Sequence, residues 1–119
     1  MIQFEEKAND LIGKPYKAYG ANCWDLVTDL VPEAPYIKAS ADSLKRSVET
    51  FKKELDVNDL EEVQMLYNKD IVVMGRDDVY FHAGVYYNGG VIHASTDGVV
   101  YEPIGTIHRH YNCVKGFRV

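Results

Sequence analysis

A strand-like run of nine residues, Val79 to Tyr87, enters Asn88-Gly89-Gly90 and returns through Val91 to Ser95. Asn-Gly between alternating apolar residues is a strong local signal for a two-residue β-hairpin, because both turn positions need positive φ and these residues tolerate it. A turn centred on Asn88-Gly89 also sets the register. It places Gly84 opposite His93 and leaves His82 diagonal to it. Alternation along each strand then puts both imidazoles on one face, with the glycine leaving room between them.

The residues around this hairpin divide into two textures. Phe4, Ala8, Leu11 and Ile12 mark one face of a first helix that Gly13 and Pro15 stop. Lys14 to Gly20 follows as an extended or turning segment, since a residue before proline is pushed out of helical geometry. Trp24, Val27, Leu30 and Val31 have the spacing of a buried helical stripe, closed by Pro32 and Pro35. A third helix is expected from a cap at Ser40 to Asp42, with Leu44, Val48, Phe51 and Leu55 on its apolar side. Asp56 to Glu62 reads as an acidic connection, and Glu61-Glu62 as solvated charges. From Val63 the pattern becomes strand-like: Val63–Tyr67, Asp70–Met74, a turn at Gly75–Asp78, the hairpin, Val99–Glu102 after a turn at Asp97-Gly98, and Cys113–Val119. Helices followed by an antiparallel meander predict an α+β domain. At 119 residues, with 46% hydrophobic content, residues 1–119 are expected to form a single domain with its own core.

One thiol stands where this arrangement could use it. Asn22 is a good N-cap, which makes Cys23 the first residue of the second helix. There the unpaired backbone N–H groups and the positive end of the helix dipole favour a thiolate. A buried, inert cysteine is the plainer reading, because free cysteine is among the most buried residue types. A nucleophilic thiol, an imidazole to accept its proton and a second group to orient that imidazole are the parts of acyl transfer by cysteine, and Cys23, His82 and His93 supply them. Tyr16, Tyr19 and Trp24 lie beside the thiol as core plugs or as walls of a substrate groove.

Composition narrows the partners. A net charge of −5 and the lack of a Lys/Arg run argue against nucleic acid. No stretch has the length of a membrane span, and Met1 to Lys7 lacks the basic start and apolar run of a secretion signal. A soluble product made in the cytoplasm is the expectation, with any extracytoplasmic role needing another export route. The two cysteines, Cys23 and Cys113, have no paired spacing and read as independent thiols.

Several blocks together resemble the NlpC/P60 family of papain-like cysteine peptidases: Gly13-Lys14-Pro15-Tyr16, Asn22-Cys23-Trp24-Asp25-Leu26-Val27, Asp70-Ile71-Val72-Val73, His82-Ala83-Gly84-Val85-Tyr86, Val91-Ile92-His93-Ala94-Ser95 and Gly116-Phe117-Arg118-Val119. The short Asn-Cys-Trp-Asp-Leu-Val version looks most like members found among bacteriophage tail proteins. The resemblance runs from about Leu11 to the end of the chain. It implies a papain-like fold with N-terminal helices on a C-terminal antiparallel sheet. It also implies a nucleophile at Cys23, a base at His82 and an orienting residue at His93. Tyr16 matches the tyrosine that borders the family's groove and helps the Cys23 N–H bind the oxyanion, although the short insert before Cys23 lets Tyr19 take that role. The implied substrate is a peptidoglycan stem peptide, cut between γ-linked D-glutamate and a diamino acid without metal or cofactor, and the implied partners are phage tail proteins. Trp24-Asp25 replaces the usual Ser-Gly after the cysteine.

Three other readings stay open. The same fold can serve as a tail assembly or structural component with little or no hydrolysis. The same residues support amidase or acyltransferase chemistry on another substrate. His108, His110 and Cys113 form a second cluster that could bind a metal from a strand, or simply sit exposed on an edge strand or loop.

Overall fold

Strand β3 (Ile71–Arg76) is buried from Ile71 to Gly75, so the sheet it belongs to is covered on both faces. In the computed structural model, residues 2–15, 23–34, 46–47, 60–95 and 98–119 are described. They form α1 (Ile2–Leu11), α2 (Cys23–Leu30), β1 (Arg46–Ser47), β2 (Glu61–Val63), β3, β4 (Val79–Tyr87), β5 (Gly90–Ser95), β6 (Gly98–Pro103), α3 (Ile104–His110) and β7 (Cys113–Arg118). All pairings are antiparallel. The main path of the sheet runs β2-β7-β3-β4-β5-β6, and β1 adds to the free flank of β4. The fold class is α+β.

The register of the β4–β5 hairpin is the one the sequence predicts: Gly84 pairs with His93 and Val85 with Ile92. Asn88 (φ 43°) and Gly89 (φ 83°) form the turn, both in the left-handed region. The strands after it do not continue as a simple meander. β7 returns across the sheet and inserts between β3 and β2.

Period-two alternation splits the apolar residues between two layers. Ile71, Val73, Ala83, Val85, Ile92, Val99 and Phe117 face α1 and α2, where Phe4, Ala8, Trp24, Leu26, Val27 and Leu30 complete the larger core. Val72, Met74 and Val91 face the other way, under Ile107 of α3, with Leu66, Tyr86 and Tyr111 around them. Burying a side chain the size of Ile107 contributes about 1.5–3 kcal/mol toward holding α3 on the sheet.

Three expectations are corrected. Arg46–Ser47, inside the predicted third helix, is extended and pairs with Val79 and Tyr80, so ladder bonds to β4 outweigh helical periodicity there. The rest of that predicted helix lies outside the described residues. His108 and His110 sit in α3 rather than in a strand or loop, because Ile104 and Ile107 anchor one helical turn against the sheet. The strand expected at Val63–Tyr67 is instead Glu61–Val63, where Glu62 pairs with Phe117 in the ladder and its carboxylate meets Lys115 at 3.3 Å.

Candidate active site

The site is built where β4 departs from regular pairing. Met74 pairs with His82 while the next residue, Gly75, pairs with Tyr80, so Phe81 is an extra residue bulged out of β4. A bulge bends its strand and re-aims the neighbouring side chain. Gly75 makes it possible, since a Cβ there would collide with the Val79 carbonyl. His82 follows the bulge directly.

Across the hairpin, His82 Nε2 lies 2.9 Å from His93 Nδ1, with the rings edge-on at 85°. Gly84 gives them the space, because a Cβ there would come within 2.7 Å of Val91 Cγ1 and 3.0 Å of His93 Cβ. His93 Nε2 in turn lies 2.7 Å from Glu102 Oε1 on β6. The result is a continuous hydrogen-bonded chain, His82–His93–Glu102, in which His93 is only 4% exposed. The other carboxylate oxygen of Glu102 is 3.9 Å from His110 Nε2 at the end of α3. Tyr111, the extended residue that ends α3, lays its ring over His82 at 6.2 Å and 22° and meets Phe81 at 5.7 Å.

Cys23 is the first residue of α2 and is buried at 2% exposure. Among the described residues no hydrogen bond joins its sulfur to either imidazole. The backbone N–H groups of Ala83, Cys23 and Trp24 favour the thiolate, as expected for a helix start, but burial is the larger effect and pushes the thiol up to about 11. This corrects the expectation of a pre-activated sulfur. Burial, followed by the charge of His93, moves His82 the opposite way, down to about 4. The resting pair is therefore a neutral thiol and a neutral imidazole. Tyr111 links the two halves: burial first, then Glu102 and Cys23, raise its phenol above the usual range, so it lies within electrostatic reach of both.

Of the other residues singled out in the sequence, Trp24 is fully buried among core side chains and walls no groove, because the stripe it belongs to faces the sheet. Tyr16, Tyr19 and Asn22 lie outside the described residues. Cys23 and Cys113 are both free thiols. His108 and His110 project from α3, Cys113 Sγ is 3.8 Å from Asp78 Oδ1, and no group of three or more metal-ligating side chains occurs among the described residues. No described helix is long and apolar enough to cross a membrane. A pocket of about 280 Å³ between Val31, Asn68, Lys69 and Arg118 shares no residue with the histidine chain.

Sequence reasoning missed Glu102 and Tyr111. Glu102 was within reach: Val100 pairs with His93, and alternation puts residue 102 on the same face of β6. Tyr111 gave no such signal, since its position depends on where α3 ends. No protein-family model matches the chain, and no curated protein matches it.

Proposed function

We propose that this chain is a cysteine peptidase with a papain-like fold of the NlpC/P60 type, hydrolysing peptidoglycan stem peptides at γ-D-glutamyl–diamino acid bonds as part of a phage tail assembly. The observation that carries the reading is the chain His82–His93–Glu102, beginning one residue from Ala83, whose N–H favours the Cys23 thiolate. A surface histidine pair has no need of a carboxylate hydrogen-bonded behind it.

His82 Nε2 is engaged by His93, which leaves Nδ1 to face a reacting proton. As Cys23 Sγ attacks the amide carbonyl, Nδ1 takes the thiol proton. The oxyanion is met by backbone N–H groups at the start of α2. The tetrahedral intermediate collapses, its C–N bond breaks, and His82 returns the proton to the leaving amine. Water, deprotonated by the same nitrogen, then hydrolyses the thioester and frees Cys23. The neutral resting pair means that proton transfer accompanies attack and does not precede it.

The burial of Cys23 favours a second reading, an assembly component of the same fold that hydrolyses nothing. Incubation with muropeptides separates the two. A peptidase releases new amine, and Cys23→Ala abolishes the release; equal, background-level amine from both proteins supports the assembly role.

A further inference from the structure

We infer that Glu102 is a positioning residue that fixes the tautomer of both histidines and so leaves His82 Nδ1 free of its proton. The inference rests on the peptidase reading for its consequence in turnover, but its geometry stands alone. A carboxylate can only accept a hydrogen bond, so the 2.7 Å contact requires a proton on His93 Nε2. In a neutral ring the other nitrogen is then bare. His93 Nδ1 accordingly accepts across the 2.9 Å contact, and the proton there belongs to His82 Nε2. His82 Nδ1 is left as an acceptor, the state a base needs. Each assignment follows from the one before it, and the whole sequence is anchored at Glu102.

Without that carboxylate the chain can invert. His93 can carry its proton on Nδ1 and donate it to His82 Nε2, which moves the His82 proton to Nδ1 and removes the base. His110 Nε2, 3.9 Å from Glu102 Oε2, is beyond hydrogen-bond length and does not supply the acceptor that His93 Nε2 needs. Gln at 102 keeps an oxygen that accepts from His93 Nε2, while Leu keeps bulk and loses the acceptor. The two substitutions separate tautomer control from packing.

The test is nitrogen NMR of the histidine rings at pH 8, in the full chain and in Glu102→Gln and Glu102→Leu, with muropeptide kinetics alongside. Wild type and Glu102→Gln are expected to hold both rings with the proton on Nε2, and Glu102→Leu to show His82 protonated on Nδ1 in a substantial fraction. In kinetics, Glu102→Leu lowers kcat by roughly 100-fold or more with KM within about twofold, and Glu102→Gln recovers most of that loss. A wild-type His82 with its proton on Nδ1 overturns the inference, as does a Glu102→Leu protein with unchanged tautomers. If wild type hydrolyses nothing while the tautomers shift as described, the peptidase reading falls and the role of Glu102 stands. Should Glu102→Leu fail to fold, the wild-type and Gln spectra decide by themselves.

Discussion

The Ala83 N–H, one residue along β4 from His82, favours the thiolate of Cys23, against the larger effect of burial. Both candidate partners thus meet the same short piece of β4, and each is kept uncharged chiefly by burial.

The first consequence concerns the thiol. With its folded value near 11 against an ordinary value of 9.0, Cys23 should alkylate with a rate that climbs through pH 9 and does not level off below pH 10. Iodoacetamide kinetics on a Cys113→Ser background measure this directly. A plateau at neutral pH would show an ion pair between Cys23 and His82 and would overturn the neutral resting state.

The second concerns acid. Because His82 falls to about 4 from 6.5, the unfolded chain binds a proton at pH 5 that the folded chain refuses. Its contribution to stability is complete above pH 6.5 and is lost as pH falls toward 4, with a slope of up to about 1.4 kcal/mol per pH unit. Urea denaturation at pH 7 and at pH 4.5 should show the loss, and His82→Gln should flatten that segment of the curve. The same value sets the acid limb of kcat/KM near pH 4, since protonating His82 removes the base.

Much of this site was legible in the sequence, and the reasons differ residue by residue. His82 and His93 could be paired because Asn88-Gly89 permits one hairpin register and side chains alternate strictly along it. The helix start at Cys23 could be placed from a cap and an apolar stripe. The sign of its pKa shift could not, because local N–H groups and burial oppose each other and burial depends on the whole fold. Gly75 reads in the sequence as the start of a turn, whereas it lies in β3 opposite the bulge, because the strand runs on to Arg76 before turning. α3 was hidden: its stripe has only Ile104 and Ile107, and Pro103 before it reads equally as a strand end or a helix start. Arg46–Ser47 shows the converse, a helical periodicity overruled by a tertiary partner.

A third prediction separates Trp24 from the groove. The side chain is wholly enclosed by core residues of α2 and the sheet, so shortening it should cost stability and leave substrate binding alone. Trp24→Phe is expected to lose about 1–3 kcal/mol in chemical denaturation, with KM for muropeptides unchanged. A raised KM at unchanged stability would return Trp24 to the groove.

Gly84→Ala tests the space between the imidazoles. Its added Cβ would approach Ile92 O at 2.5 Å, a backbone atom in the centre of the sheet that cannot swing away. Destabilisation of about 1–3 kcal/mol is expected. The His82–His93 hydrogen bond should weaken with it, read as the loss of a slowly exchanging ring N–H signal in the proton spectrum.

Tyr111 offers the sharpest test of how the halves of the site communicate. Its ring covers His82 at 6.2 Å, and its phenol is raised by burial and by the nearby Glu102 and Cys23. The ring and the hydroxyl therefore have separable duties. Tyr111→Phe keeps the ring that shields His82 from water, so the acid limb should remain near pH 4. Tyr111→Leu removes the stacked face and admits solvent, which moves His82 back toward 6.5, because desolvation is the principal reason for its fall. The limb should shift upward by about one pH unit or more in Leu and stay in place in Phe. An equal shift in both would assign the effect to the hydroxyl, and a shift in neither would mean that the sheet alone dries the imidazole.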